Sequence, residues 1–146
     1  MEKSIGEVRV RVVAITTKDD QVLVVTHSNA TESWSCFPGG QLEHGETMEE
    51  CLVRELQEEL SLEIEVEKLI AVGIYEENDT TNLEMYFKCH PKNTELRINE
   101  THILDARYIS TSSVEGHQVY PLELSSELGV LLSRDNHEVR NYGRFS

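Results

Sequence analysis

The acidic stretch of residues 39–62 (GGQLEHGETMEECLVRELQEELSL) constrains the fold most, because it holds seven glutamates and one arginine, Arg54. Thr47 and Glu50 have the spacing of a capping box, in which each side chain accepts a hydrogen bond from the backbone N–H of the other at the start of a helix. The residues that follow, 48–60, contain neither Gly nor Pro. The sequence therefore predicts a helix over residues 48–60.

One face of this helix would be an apolar stripe, at about 100° per residue. The stripe consists of Met48, Leu52, Leu56 and Leu60. Glu55, Glu58 and Glu59 lie on an adjoining face within about one turn, and like charges that close repel one another unless they are solvated, protonated or bridged by cations. Carboxylate oxygens are hard ligands that suit Mg²⁺ or Mn²⁺. The pattern thus leaves two alternatives, a metal site and a solvated acidic face.

The loop before the helix favours the metal site. Residues 37–40 (FPGG) end in two glycines, which allow the backbone to approach a ligand closely. Gly45 interrupts the loop again just before Glu46. A turn of this kind brings main-chain groups to the start of the acidic helix.

Taken together, residues 40–62 resemble the Nudix box, G-x5-E-x7-R-E-U-x-E-E-x-G-U, in which U is a bulky apolar residue. The residues that match it in register are Gly40, Glu46, Arg54, Glu55, Leu56, Glu58, Glu59 and Leu62. Ser61 stands where the pattern has its last Gly, a position that ends the helix with a positive φ. We expect Ser61 to cost on the order of 1 kcal/mol or to shift the helix end, without touching a ligand.

The resemblance implies an α/β protein, specifically a Nudix-type α/β/α sandwich with a mixed β-sheet between helices. It implies that Mg²⁺, with Mn²⁺ as a possible substitute, is held by Glu58, Glu59 and the main-chain carbonyl of Gly39. Glu55 would either take the proton from the attacking water or add a further metal ligand.

Two further residues complete the predicted site. Arg54 belongs to its catalytic set and is expected to orient the acidic row, either through its i±4 neighbours Glu50 and Glu58 or by pairing with Glu46 across the loop. Glu100, in the loop before the last predicted strand, is the alternative source of the general base. An ordinary exposed loop acid is the other interpretation of Glu100.

Composition narrows the function classes. The formal net charge of −14 disfavours binding to a nucleic-acid backbone, which depends on Lys and Arg. No apolar run approaches 18 residues, and the first residues, MEKS, do not begin a signal peptide. Cys36, Cys51 and Cys89 form no C-x-x-C pair and are expected to be reduced. We expect a cytoplasmic protein, monomeric or homodimeric, that binds neither nucleic acid nor membrane, and the resemblance adds a small nucleotide as substrate.

The 146 residues predict one domain, with five strands around the acidic helix. The strands are predicted at residues 7–17, 21–26, 62–75, 83–90 and 103–109. A loop is predicted at residues 28–35 and a polar, mobile tail from about residue 133. A terminal helix is predicted from the spacing of Leu124, Leu128, Leu131 and Leu132.

The aromatic and imidazole side chains give weaker signals. Trp34, near the glycine turn, is interpreted as a core or loop anchor, with stacking on a nucleobase as the alternative. The six histidines form no ligand-spaced pair and are interpreted as surface or loop residues. They are His27, His44, His90, His102, His117 and His137.

The resemblance implies metal-dependent hydrolysis of a pyrophosphate bond in a nucleoside diphosphate linked to another group, with a nucleoside triphosphate or a modified nucleotide favoured. The alternative is a nucleotide-sensing module of the same fold without turnover, which would be expected to have lost a carboxylate. Glu55, Glu58 and Glu59 are all present. The residues that select the substrate stay open, because selectivity lies in loops outside the box.

Overall fold

The computed structural model describes residues 6–146, and all strands within them join one mixed sheet. The nine strands are β1 (Glu7–Lys18), β2 (Gln21–Ser28), β3 (Ser33–Cys36), β4 (Gly39–Gln41), β5 (Ile64–Glu77), β6 (Thr80–Pro91), β7 (Ile103–Ser110), β8 (Val119–Tyr120) and β9 (Arg140–Arg144). The α-helices are α1 (Met48–Leu60), α2 (Leu122–Ser125) and α3 (Leu128–Leu131), with one 3-10 turn at Thr111–Ser113. The first residues, MEKS, on which the signal-peptide expectation rests, lie outside the described residues.

The sheet opens between β1 and β2. In the described part of the chain, these two strands pair only beside the turn that joins them, at Thr17 and Lys18 of β1. Farther along, β4 lies against β1, with Gly40 opposite Val12, and β3 lies against β2. The other edges are covered by β6, which is parallel to β1, and by β7, which is antiparallel to β2. The chain segment that carries β3 and β4 therefore crosses the opening.

Alternate residues of β1 face two different hydrophobic clusters, as the two faces of a covered sheet require. On one face, Val13 and Ile15 belong to a cluster with the buried leucines of α2 and α3. On the other face, Val12 and Ala14 belong to a cluster with the buried leucines of α1. The predicted α/β/α sandwich with a mixed β-sheet between helices is confirmed.

Two local predictions are wrong. The predicted loop of residues 28–35 fails in its second half, because Ser33–Cys36 form β3. The single terminal helix is instead divided into α2 and α3 at Glu127, whose φ of −113° and ψ of 10° interrupt the helical backbone. The spacing of the leucines persists across the break. Leu124, Leu128 and Leu131 all remain buried in the same cluster.

The predicted mobile tail is wrong for its last residues, since Arg140–Arg144 form β9, parallel to β5. Phe145 follows this strand and is buried, with its N–H donating to the carbonyl of Ile74 at 2.8 Å. Its ring meets that of Tyr86 edge-on, with centroids 6.1 Å apart. A Cβ at Gly73 would overlap the Phe145 ring, so this glycine leaves the space that the ring fills. The end of the chain is thus packed into the core.

The helices and the three cysteines bear on two of the expectations drawn from the sequence. None of the helices within residues 6–146 is long and apolar enough to cross a membrane. Cys51 and Cys89 are buried, Cys36 is half-buried, and all three are free. Burial raises the pKa of each of these thiols to about 12. The high pKa values favour the thiol over the reactive thiolate at neutral pH.

Phe145→Ala should lower the free energy of unfolding by about 3 kcal/mol, because loss of a buried Phe removes its apolar contacts and leaves a cavity. Urea denaturation measures the change. Val130→Ala is the control: Val130 is 72% exposed, and its change should stay within about 0.5 kcal/mol. An unchanged stability for Phe145→Ala would contradict the docking of β9.

Candidate active site

Helix α1 is fixed at its start and along one face. Thr47 Oγ1 accepts from the backbone N–H of Glu50 at 3.1 Å, and Glu50 Oε1 accepts from that of Thr47 at 2.9 Å, so the predicted capping box is present. Leu52, Leu56 and Leu60 are fully buried against the sheet. This packing sets the rotation of the helix about its axis. The glutamate-bearing face is therefore turned away from the core.

Arg54 joins the preceding loop to this acidic face. Its Nε and Nη2 donate to the two carboxylate oxygens of Glu46 at 3.0 and 2.8 Å. Its Nη1 donates to Glu55 Oε1 at 2.8 Å and to Glu58 Oε2 at 3.3 Å. Hydrogen bonds from Arg54 and from the backbone N–H of Glu43 lower the pKa of Glu46 to about 2. Of the partners predicted for Arg54, Glu46 and Glu58 are present, whereas Glu50 is engaged in the capping box.

Glu55 and Glu59 form the inner carboxylate pair. Both side chains line the cleft at the opening of the sheet, together with Gly39 and Gly40 of β4. Glu59 Oε2 is buried and has no hydrogen-bond partner. Burial raises the pKa of Glu59 to about 8, and the negative charges of Glu55 and Glu100 add to the rise. Glu59 therefore favours its protonated form at neutral pH unless a cation compensates its charge.

The two glycines of β4 have different packing roles. A Cβ at Gly40 would overlap the carboxyl group of Glu55, so this glycine makes the room in which Glu55 lies. A Cβ at Gly39 would overlap the backbone of Val12 and Val13 in β1. Gly39 thus permits the close pairing of the strands, and Gly40 permits the position of the carboxylate.

Three other residues that the sequence analysis considered, Glu58, Glu100 and Ser61, lie outside this pair. Glu58 is farther out, with its side chain 56% exposed and in contact with Arg54. Glu100 is half-buried, and its charge reaches Glu59. Ser61 takes the left-handed conformation with φ of 53°, so the helix ends at the position that the glycine of the box would occupy and is not shifted.

The cleft has a volume of about 1130 Å³ and carries side chains that the sequence did not single out together. His27 stacks on Trp34, with ring centroids 6.0 Å apart, and on His102, with centroids 5.1 Å apart. Burial, followed by the charges of His102 and Arg11, lowers the pKa of His27. His27 and His102 are far apart in the chain and meet through the pairing of β2 with β7. Only a prediction of that pairing would have brought them together.

Charged and amide side chains line the rest of the cleft. Arg9 and Arg11 project from β1, and Arg11 Nε lies 3.5 Å from Glu84 Oε2 on the neighbouring β6. Tyr86 donates a hydrogen bond from its hydroxyl to Glu84 Oε1 at 2.8 Å. The charge of Arg11 acts both on His27, in the aromatic stack of Trp34, His27 and His102, and on Glu59 in the inner carboxylate pair. An arginine that shares a cleft with an aromatic stack and with carboxylates suits an anionic ligand that has an aromatic end.

The donor set fits a hard divalent cation. The described residues contain no preformed group of three or more His, Cys, Asp or Glu side chains spaced to hold a metal. The buried, unpartnered oxygen of Glu59 nevertheless requires a positive partner or a proton. Carboxylate oxygens beside a main-chain segment are ligands that Mg²⁺ and Mn²⁺ prefer.

Comparison with known proteins identifies the family. A model of the NUDIX domain matches residues 7–139. An ADP-ribose pyrophosphatase from Methanocaldococcus jannaschii is 40% identical over 72 residues, which cover 48% of this chain and 41% of that protein. The chain thus spans about two fifths of the length of this curated relative.

Two solved structures share the fold at low sequence identity. The E. coli ORF135 protein has a TM-score of 0.76 at 20% identity, covering 91% of this chain and 96% of that one. A NUDIX hydrolase from Nitrosomonas europaea has a TM-score of 0.75 at 17% identity, covering 97% of this chain and 80% of that one. The family model spans most of the sequence, from β1 to the residues just before β9, and the chain belongs to the NUDIX domain family.

Proposed function

We propose that this protein is a metal-dependent pyrophosphohydrolase that cleaves a nucleoside diphosphate linked to another group. The observation that supports this most is the inner pair Glu55–Glu59, which carries a buried, unpartnered oxygen in a cleft shared with Arg11 and an aromatic stack. Membership of the NUDIX domain family agrees with it. A structural acidic helix would not need to bury an unpaired carboxylate oxygen.

Mg²⁺, or Mn²⁺ in its place, is the cation that we assign to this site. Glu58, Glu59 and the main-chain carbonyl of Gly39 would hold it, with Glu55 either as a further ligand or as the base. When bound, such a cation neutralises phosphate charge and lowers the pKa of a coordinated water. Arg54 remains available to keep Glu55 and Glu58 in place through its ion pairs.

The reaction would be a displacement at phosphorus. The oxygen of water attacks one phosphorus atom, the bond from that atom to the bridging oxygen breaks, and the bond's electron pair leaves with the second phosphate. Glu55 takes the proton of the attacking water, with Glu100 as the alternative base. The products are a nucleoside monophosphate and the phosphorylated remainder, or pyrophosphate if the substrate is a nucleoside triphosphate cleaved at its α-phosphorus.

For the substrate we favour a nucleoside triphosphate or a modified nucleotide, with the base on the stack of Trp34, His27 and His102. Arg9 and Arg11 would then face the phosphates. A second candidate is ADP-ribose, which is favoured by the named activity of the M. jannaschii relative. A nucleotide-sensing module without turnover has less support, because all three box carboxylates are present.

The experiment that tests the function is a screen of nucleoside triphosphates, modified nucleotides, ADP-ribose and nucleotide sugars in the presence of Mg²⁺, with formation of the nucleoside monophosphate measured by chromatography for every substrate. Hydrolysis of at least one class is expected. Binding of nucleotides without any turnover would favour the sensing module instead.

Excess chelator should abolish hydrolysis of any substrate found in the screen, and added Mg²⁺ or Mn²⁺ should restore it. Metal should also raise the melting temperature, because a cation bound only by the folded state relieves repulsion between the carboxylates and adds its binding free energy. Undiminished turnover in excess chelator would contradict the assignment of a metal to this site.

Replacing Glu55, Glu58 or Glu59 by Gln should lower turnover by orders of magnitude, since each change nearly preserves shape and removes a negative charge. Glu58→Gln and Glu59→Gln should also weaken metal binding. Glu49→Gln, an exposed position on the same helix, is the matched control and should change the rate little. All four variants should stay folded. Wild-type turnover in Glu55→Gln would contradict Glu55 as the base and favour Glu100. Activity in all three variants would contradict the assigned site.

Gly40→Ala and Gly39→Ala should separate catalysis from folding. At Gly40 the added Cβ displaces the flexible end of Glu55, so turnover should fall by at least about ten-fold while the melting temperature changes little. At Gly39 the added Cβ meets the backbone of β1, so the protein should be strongly destabilised. Thermal melting and steady-state rates measure both. Full activity in Gly40→Ala would contradict the position of Glu55.

A further inference from the structure

The C-terminal end of α1 is closed by the loop of residues 92–102. The last carbonyl groups of a helix have no partner within the helix and need donors from elsewhere. Here the backbone N–H of Asn99 donates to the carbonyl of Glu59 at 2.9 Å, and the backbone N–H of Arg97 donates to that of Leu60 at 2.9 Å. The loop is therefore attached to the turn of the helix that carries the proposed metal ligands.

The side chain of Asn99 makes two more bonds to the same turn. Its Nδ2 donates to the carbonyl of Glu58 at 3.1 Å and to Ser61 Oγ at 2.9 Å. An amide nitrogen carries two hydrogens, and here each has an acceptor. A glycine at position 61 would offer no side-chain oxygen for the second bond. The residue that departs from the box is thus the one that receives this bond.

Asn99 is followed directly by Glu100. Glu100 is half-buried, and the residue before it, Asn99, holds the backbone carbonyl of Glu59. Glu58, whose carbonyl Asn99 also holds, lies one residue earlier on the helix. The backbone and side chain of Asn99 thus attach the residue that precedes Glu100 to the helical turn that carries Glu58 and Glu59.

We propose that Asn99, acting with Ser61, is a positioning residue that holds the loop carboxylate of Glu100 in register with Glu58 and Glu59 at the metal site. The inference rests on the proposed function, because it assigns Glu100 to the same site. Asn99 would contact neither the metal nor the substrate. It acts through the backbone that carries the ligands, as outer partners of metal ligands do.

The test is Mn²⁺ binding to Asn99→Ala, measured by calorimetry or electron paramagnetic resonance without substrate. The matched control is Asn93→Ala, in the same loop. The Asn93 side chain donates to the carbonyl of Ser61 at 3.1 Å and accepts from the backbone N–H of Glu63 at 2.8 Å, so it ties the loop to the end of the helix without adjoining Glu100.

Asn99→Ala should weaken Mn²⁺ binding by about ten-fold or more and lower kcat with little change in KM. Asn93→Ala should leave the Mn²⁺ affinity within about two-fold of the wild-type value. This should hold even if Asn93→Ala lowers the melting temperature as much as Asn99→Ala does. A loss of Mn²⁺ affinity in Asn93→Ala equal to that in Asn99→Ala, or an unchanged affinity in Asn99→Ala, would overturn the positioning role.

A double-mutant cycle with Ser61→Gly tests the part assigned to the hydroxyl. Asn99→Ala should weaken Mn²⁺ binding by a smaller factor in the Ser61→Gly background than in the wild type, because one of its bonds is already absent. Equal factors in the two backgrounds would remove Ser61 from the proposal.

Hydrogen exchange without metal separates this inference from the proposed function. Amides of residues 92–102 should exchange faster in Asn99→Ala than in wild type, whether or not the protein turns over a nucleotide. A wild type that binds no Mn²⁺ would overturn the proposed function. A wild type that binds Mn²⁺ and an Asn99→Ala variant that binds it equally well would overturn the role of Asn99 alone.

Discussion

The repulsion among the carboxylates of α1 is the constraint on which the rest of the site depends. Glu55, Glu58 and Glu59 lie within one turn, and the chain places one guanidinium, Arg54, against two of them. Arg54 is itself held by both oxygens of Glu46 in the preceding loop. The glutamate that has no such partner is Glu59, which carries the raised pKa and the unpartnered oxygen. Glu59 is therefore the carboxylate in this row whose charge must be compensated by a proton or by a bound cation.

The opening of the sheet between β1 and β2 allows a ligand to reach the carboxylates of α1. If β1 and β2 paired along their whole length, α1 would lie on a closed sheet and its glutamates would face solvent alone. Instead β3 and β4 cross the gap, and the absence of a side chain at Gly40 leaves the space that the Glu55 carboxyl group occupies. The aromatic stack and the arginines of β1 then share one cavity with the carboxylate pair. Strand pairing, rather than the helix alone, makes a binding site out of an acidic surface.

The predictions from sequence succeeded where the signal was local. Helix α1, its capping box and its apolar stripe depend on residues within a few positions of one another, and they were predicted with the observed bounds. The meeting of His27 with His102, and the pairing of β9 with β5, depend on residues that are distant in the chain. Phe145 lies among polar residues, and no periodicity distinguishes it from an exposed aromatic. The split between α2 and α3 was not predicted, because the leucines keep their helical spacing across Glu127, the residue at which the helical backbone is interrupted.

The net charge of −14 raises the question of how an anionic substrate would approach this protein. Exposed charges are screened over a Debye length of roughly 8 Å at physiological ionic strength, so distant carboxylates oppose the approach only weakly. Arg9 and Arg11 on β1 line the cleft, and a bound Mg²⁺ would add two positive charges beside Glu59. The same acidity that repels a phosphate from the metal-free site increases the affinity of that site for the cation. Metal binding should therefore favour substrate binding, because the cation adds positive charge to the cleft in which the phosphates would lie.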